Sequence, residues 1–224
     1  MSPPSSATKK LRCFLSYHYA DKQLAGKIKR NLEPYGLTVF LAHDDIKPTQ
    51  TWQDRVLKEL QSADVLLVLL TDDFRQSAWT SQECGFALAR KTLIVSLKVS
   101  IDPFGFLSNK QALNLRESKI PDCCLKLAKV ISESTKLQNR FLDGLIGSIL
   151  LSDTFADAKE KTSWLEEFDG YTRRHVNSIL RGAIKNRQIW QSFGAHHYLS
   201  AFIHRSRRLT DKGLVKRLRS KGSF

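Results

Sequence analysis

The feature that most constrains the fold of this chain is an uninterrupted aliphatic run, VLLVLL, from Val65 to Leu70. A short run of this kind, with Asp64 before it, is typical of a strand buried on both faces of a parallel sheet. Parallel strands need long crossovers, which are usually helices packed on the faces of the sheet. The run is also far shorter than the ~20 apolar residues that span a bilayer, so we expect no membrane span.

Strand-like and helix-like segments alternate through the first part of the chain, which is the pattern of a doubly wound α/β fold. Apolar and β-branched runs predict four more strands, the last of them a short edge strand. Segments with helical periodicity separate the strands. We place the additional strands at Leu11–Ser16, Leu37–Leu41, Leu93–Val99 and Leu113–Leu115. The first helix begins with a cap at Asp21 and ends at Pro34 and Gly36, and the second follows Thr51. The third covers residues 78–90, and the next begins at Pro121.

Ligands of such sheets bind outside the carboxyl ends of the strands, where the strand order reverses. The alternating pattern alone is compatible with two strand orders, Rossmann-like and flavodoxin-like. In a flavodoxin-like order, 2-1-3-4-5, the crevice lies between the loops that follow strands one and three. Those loops are Tyr17–Ala20 and Thr71–Ser77. We therefore expect Tyr17, His18 and the start of the third helix to surround one cleft.

Beyond about residue 136 only helical patterns remain. We predict a disordered segment over 1–9, a sheet domain over 10–135 and a helical region over 136–224. Within that helical region, the apolar residues from Ile189 to Ile203 predict a single helix, bent at Gly194.

The net charge of +14 is concentrated in the helical region. Residues 173–221 hold 13 Lys and Arg and a single acid, Asp211, whereas the rest of the chain is nearly neutral. A basic region of this kind meets nucleic acid, an anionic membrane surface or an acidic partner, or it is a solvated helical face. Aromatic residues are not interleaved with the Arg205–Arg208 cluster, so the sequence predicts no specific reading of bases.

Other chemistry-bearing residues form no pattern that indicates a site. The spacing of the four cysteines fits neither a zinc knuckle nor a redox pair, so we expect reduced, mostly buried thiols. Histidines of the helical region, among them His175 and His204, have no acidic neighbours in the sequence to orient them, and we expect no metal site. Glycine-rich phosphate loops are missing from the sequence. The first residues lack the apolar core of a signal peptide, which favours a cytoplasmic protein.

Three sequence blocks carry a family resemblance: Phe14–Asp21 (FLSYHYAD), Val39–Ile46 (VFLAHDDI) and Ser77–Glu83 (SAWTSQE). In this order and spacing they resemble the three blocks of a TIR (Toll/interleukin-1 receptor) domain. They are most similar to those of the bacterial NAD-consuming branch found in Thoeris-like antiphage defence. The resemblance covers about residues 10–135 and implies a flavodoxin-like, doubly wound sheet of five parallel strands.

The resemblance also implies an enzyme that cleaves NAD+ at the nicotinamide–ribose bond, as a glycohydrolase or a cyclase, with NAD+ as substrate and no separate cofactor. The catalytic glutamate of the family corresponds to Glu83, four residues after Trp79, and this spacing stacks both side chains on one face of a helix. His18 stands where relatives often have arginine. The residues that the resemblance places at NAD+ are Ser16, Tyr17, His18, Asp45 and Trp79.

A second function stays open, that of a non-catalytic scaffold which signals through TIR–TIR self-association. In this family the loop after strand two, which here contains Asp44 and Asp45, mediates such contacts, so a homo-oligomer is expected. An enzyme would also need a downstream effector that reads its nucleotide product. The basic helical region would then be a sensing, oligomerising or partner-binding module, with nucleic acid as a weaker candidate partner.

Overall fold

The computed structural model describes residues 10–41 and 52–221 and shows two compact units. The sheet unit comprises Lys10–Ile131, and the helical unit begins at Ser132. Strands and helices alternate in the sheet unit. Its strands are β1 (Arg12–Ser16), β2 (Thr38–Leu41), β3 (Val65–Leu70), β4 (Leu93–Lys98) and β5 (Leu113–Asn114), and its helices are α1 (Lys22–Leu32), α2 (Trp52–Ser62), α3 (Asp72–Gln76), α4 (Ala78–Ala89) and α5 (Ile120–Glu133).

The strands form one parallel sheet in the order β2-β1-β3-β4-β5. This is the flavodoxin-like order, and it confirms the predicted five-stranded doubly wound sheet. The strand order reverses between β1 and β3, where Ser16 pairs with Val68. Because both strands are parallel, the loops that follow them leave the same edge of the sheet and flank the crevice expected for a ligand.

The central strand β3 confirms the reading of the aliphatic run, since all of its residues are fully buried. Alternate side chains of β3 join Phe14 and Phe40 in an apolar cluster that also contains Val56 of α2 and Cys84 of α4. The ring centroids of Phe14 and Phe40 lie 5.4 Å apart. This packing holds α2 and α4 against one face of the sheet, and α4 carries Glu83.

Helix α1 differs from the prediction at its start. Asp21 occupies the position before the helix, but its side chain makes no capping hydrogen bond. Instead, Asp21 Oδ2 accepts from Thr71 Oγ1 at 2.7 Å, so a tertiary partner replaces the predicted local one. At the other end a short turn, Glu33–Tyr35, leads to Gly36, whose φ of 81° glycine adopts without Cβ strain. The chain turns there into β2.

The predicted loop Thr71–Ser77 contains a helix, α3, that was not predicted. Thr71 Oγ1 accepts from Phe74 N at 3.3 Å and caps the helix. Asp72 and Asp73 lie in its first turn, where carboxylates interact favourably with the helix dipole. A helix of five residues is too short to show periodicity in a sequence.

The helical unit is built from short helices, which are α6 (Gln138–Leu150), α7 (Phe155–Ser163), α8 (Arg173–Lys185), α9 (Arg187–Trp190), α10 (Phe193–Arg205) and α11 (Lys212–Arg219). Several of them pack in pairs. Helix α7 packs on α10, and α8 packs on both α6 and α11. Helices α6 and α8 approach closely at Gly182, where a Cβ would lie 2.4 Å from a methyl group of Leu150.

The prediction of one helix over Ile189–Ile203, bent at Gly194, is wrong. Two helices occupy this segment, and the helical conformation is interrupted between α9 and α10, before Gly194. Ser192 Oγ accepts from Ala195 N at 3.3 Å and caps α10. A serine cap satisfies an N–H group at the start of a helix, so the break is more favourable here than a bend at glycine.

Two further findings concern membranes and thiols. In the part of the chain that the structure describes, no helix combines the length and the apolar character that a membrane crossing requires. The four cysteines, Cys13, Cys84, Cys123 and Cys124, are buried and form no disulfide. Burial raises the pKa of the Cys13 thiol to about 12, which keeps it protonated and unreactive.

Candidate functional site

A buried carboxyl group meets a buried hydroxyl group at the carboxyl edge of the sheet. Ser16 is the last residue of β1, and Glu83 lies on α4. Ser16 Oγ donates to Glu83 Oε2 at 2.5 Å. The two residues are only 1% and 6% exposed. Because they lie far apart in the sequence, the tertiary fold alone brings them together.

The residues that start α4 determine where Glu83 lies. Ser77 caps this helix by accepting from Thr80 N at 3.4 Å. Thr80 is buried, and its Oγ1 donates to the carbonyl groups of Phe74 and Ser77, each at 2.9 Å. Glu83 follows Thr80 by three residues, so both side chains lie on the face of α4 that packs on the sheet.

The surroundings of Glu83 oppose its ionisation. Burial raises the pKa of Glu83 to about 7, and the hydrogen bond from Ser16 acts in the opposite direction. Within residues 10–41 and 52–221 no basic side chain forms an ion pair with this carboxylate. A carboxyl group that titrates near neutrality is suited to acid, base or charge-stabilising roles in catalysis.

Two of the residues predicted at NAD+ lie close to the Ser16–Glu83 pair in the chain but differ in exposure. Tyr17 directly follows Ser16 and is 4% exposed. Trp79 lies one turn before Glu83 on α4 and keeps 42% of its surface exposed. The structure therefore places a half-exposed indole ring outside the buried carboxylate. An exposed aromatic ring in this position offers a flat apolar surface to a ligand.

His18, the other predicted residue that the structure describes, makes a local contact within the loop after β1. His18 accepts from Ala20 N at 3.3 Å through Nδ1, so its ring shapes the loop after β1. Asp45, and Asp44 beside it, lie outside the described residues.

A hydrogen bond ties together the two loops that flank the crevice, since Thr71 Oγ1 donates to Asp21 Oδ2. A cavity of about 420 Å³ at this edge is lined by residues 19–24 together with Val99 and Glu117. Glu83 is not among its lining residues. Asp21 and Thr71 were not predicted as site residues. Thr71 directly follows strand three and Asp21 ends the loop after strand one, a position at the switch point that could have identified them.

Comparison with protein families decides the class of the sheet unit. The TIR domain family model matches residues 13–127, just over half of the 224 residues. The chain belongs to the TIR domain family. This finding confirms the predicted TIR domain, and the match includes both Ser16 and Glu83.

Solved structures include a TIR domain similar to this chain, that of the Toll-related receptor TRR-2 from the lower metazoan Hydra magnipapillata. The similarity covers 51% of this chain and 92% of the other, at 13% sequence identity and a TM-score of 0.44. A comparison with curated proteins found no match.

Outside the TIR domain, the prediction that no acid orients the helical histidines is wrong for His175. Asp143 Oδ1 lies 3.2 Å from His175 Nε2, and Arg174 pairs with the same carboxylate at 2.7 Å. Asp143 belongs to α6, so sequence proximity could not reveal it. His175 Nδ1 also accepts from Thr172 N at 3.1 Å, and burial lowers its pKa. A buried histidine satisfied in this way is a structural residue.

Across the described residues, no group of three or more His, Cys, Asp or Glu side chains is placed to hold a metal ion.

Proposed function

We propose that this TIR domain protein is an NAD+ glycohydrolase or ADP-ribosyl cyclase with Glu83 as its catalytic residue. The observation that carries the proposal is the buried Ser16–Glu83 pair at the carboxyl edge of the sheet. A scaffold has no need of a buried carboxylate here, because burying an acid without a cation lowers stability. Local losses of stability of this kind are typical of functional sites.

The reaction requires little beyond one carboxylate. The bond between the ribose C1′ and the nicotinamide nitrogen breaks, and its electron pair leaves on that nitrogen, which changes from cationic to neutral. No acid has to protonate this leaving group. Positive charge develops on the ribose in an oxocarbenium-like transition state. Water then adds to C1′ and releases a proton to give ADP-ribose, whereas an internal nucleophile of the same molecule gives a cyclic product.

The site residues divide the remaining work between them. An ionised Glu83 beside the ribose hydroxyls stabilises the developing positive charge. Ser16 orients this carboxylate by donating to Oε2. Trp79 offers its half-exposed ring to a flat group of the substrate, whereas Tyr17 is buried next to Ser16 in the chain. Because the pKa of Glu83 is about 7, activity should rise with pH through neutrality.

The test is release of nicotinamide from NAD+ by the full chain, both purified and in cells that express it, with products identified by mass spectrometry. Glu83→Gln keeps the size and one acceptor oxygen of the side chain but removes the charge. We expect this variant to release nicotinamide about 10³-fold more slowly, the effect of deleting one preorganised electrostatic group. The matched control is Glu59→Gln, which changes another buried glutamate and should retain the activity.

The scaffold hypothesis makes the opposite prediction in cells. A cellular response that persists in Glu83→Gln but disappears in Asp45→Ala would identify signalling by TIR–TIR self-association without catalysis. Equal nicotinamide release by the wild type and Glu83→Gln would show that Glu83 is not the catalytic residue.

We extend the proposed function to its biological setting on the resemblance of the three blocks to the bacterial branch. The enzyme then acts in antiviral defence of the Thoeris type, in the cytoplasm, as a homo-oligomer formed through TIR–TIR contacts. Its product, linear or cyclic ADP-ribose, serves as a signal for a downstream effector, or its activity depletes NAD+. Loss of phage protection in Glu83→Gln cells would support this setting.

A further inference from the structure

The helical unit contains a cavity of about 620 Å³ between α10 and α11. Its volume falls within the ~300–1,000 Å³ of typical small-molecule sites. Apolar atoms supply most of its surface. Ile203 and Val215 are half-buried and Leu218 is fully buried, so these side chains form a recessed apolar floor.

Basic side chains surround this floor. Five of the lining residues are basic, none is acidic, and all five are exposed. In the described parts of the chain, none of the five forms an ion pair with an acidic residue. The basic side chains come from both helices and from the segment between them, so they converge on one opening. They are His204, Arg207, Lys212, Lys216 and Arg219.

We propose that this cavity binds a small soluble organic phosphate, a phosphate monoester that carries an apolar group. The apolar group lies on the floor formed by Ile203, Val215 and Leu218, where it leaves water. The phosphate dianion lies among the basic side chains of the rim. Arginine and lysine can donate charge-assisted hydrogen bonds to it. Several convergent cations favour a dianion over a single carboxylate, because each adds a further attraction.

Two macromolecular ligands fit the cavity less well. Single-stranded nucleic acid binds through aromatic rings on which its bases stack, and no phenylalanine, tyrosine or tryptophan lines this cavity. A membrane surface is contacted by apolar side chains that project outward beside the cations. Here the apolar side chains are recessed below the cations, so a small ligand reaches them and a flat surface does not.

The test measures binding of hexyl phosphate to the full chain by titration calorimetry, with inorganic phosphate, hexanol and hexanoate as partial ligands. Hexyl phosphate should bind at least about tenfold more tightly than each of them, because the apolar chain and the dianion add their contributions. Lys216→Glu on α11 should weaken binding about tenfold by reversing a rim charge. His204→Glu on α10 provides a second exposed position with the same expected result.

The matched control is Arg181→Glu, an equal change of charge at an exposed residue of α8 that does not line the cavity. It should bind hexyl phosphate as the wild type does, and thermal unfolding checks that every variant is folded. Equal weakening by Arg181→Glu and Lys216→Glu would overturn the proposal, since the effect would then be net charge alone. Binding to anionic phosphatidic acid vesicles or to DNA without competition from hexyl phosphate would also overturn it.

Discussion

Two buried glutamates lie on the same face of the sheet, Glu59 near the amino end of β1 and Glu83 near its carboxyl end, and their environments differ. At the amino end, Arg12 pairs with Glu59 Oε2, and Arg55 Nη2 lies 2.8 Å from Glu59 Oε1. At the carboxyl end, the Ser16 hydroxyl donates to Glu83. Glu59 and Glu83 are 5% and 6% exposed, so the environments differ in hydrogen-bonding partners rather than in depth.

This difference separates an acid that stabilises the fold from one that weakens it. Two guanidinium groups offset much of the unfavourable desolvation of Glu59, whereas one hydroxyl group offsets only part of that of Glu83. The pKa of Glu83 is consequently raised to about 7. Stability alone would favour a neutral side chain at this position. We therefore assign chemistry to the carboxyl end of β1 and a structural role to its amino end.

The largest expected effect is a stability gain in Glu83→Gln that depends on pH. The folded pKa of about 7 lies above the ordinary value of 4.5. Below the lower value both states are protonated, and the protonated side chain carries no penalty for charge. As pH rises toward 7, the unfolded chain ionises first, so the wild type loses stability until the folded state ionises too. The glutamine variant avoids this loss, which amounts to about 3 kcal/mol.

Urea unfolding of the full chain at about pH 4 and about pH 8 measures this effect as a difference between the two proteins. The advantage of Glu83→Gln should be small at the lower pH and largest at the higher one. Gln82→Glu provides the control, because it places a new acid on the exposed side of the same helix and should change stability little. Parallel pH profiles for the wild type and Glu83→Gln would show that Glu83 is ionised normally in the fold.

At the amino end, Glu59→Gln should have the opposite sign and destabilise the protein. The amide places N–H donors against a guanidinium group, so Arg12 or Arg55 loses its acceptor. Both arginines are 31% exposed, and water replaces part of the lost interaction. We expect unfolding free energy to fall by about 2 kcal/mol, less than for a fully buried pair. Unchanged stability, or a loss of nicotinamide release as large as in Glu83→Gln, would contradict this assignment.

Local patterns predicted the sheet and the family resemblance singled out Glu83, but neither predicted the contact between Glu83 and Ser16. The aliphatic run of β3 allows few folds, because a strand buried on both faces requires helices on either side. The spacing of Trp79 and Glu83 repeats along a helix and is visible in the sequence. The contact between Ser16 and Glu83 joins two distant elements, and no local pattern reports it.

The incorrect predictions share one cause, which is that a distant partner or a nearby cap outweighed the local pattern. Asp21 stands where a helix cap is favoured, yet its carboxylate binds Thr71 across the crevice. His175 lacks acidic neighbours in the sequence, yet Asp143 on another helix contacts it. Between α9 and α10, Ser192 caps α10, whereas the prediction considered only a bend at the nearby glycine.

The smallest expected effect, and the most direct probe of the carboxyl end, is that of Ser16→Ala. The hydrogen bond from Ser16 lowers the pKa of Glu83 against the larger effect of burial. Its removal should therefore raise that pKa further, by about one unit, since one unit corresponds to ~1.4 kcal/mol and a single hydrogen bond contributes about that much. The midpoint of the pH profile for nicotinamide release should move to higher pH by the same amount.

NMR titration of the side-chain carboxyl carbon of Glu83 measures this pKa shift even in a protein without activity. Ser81→Ala, on the exposed side of α4, should leave the titration of Glu83 in place. If Ser16→Ala moved the midpoint to lower pH, the hydroxyl would be stabilising the protonated acid, and Glu83 could not supply the negative charge that the proposed reaction requires.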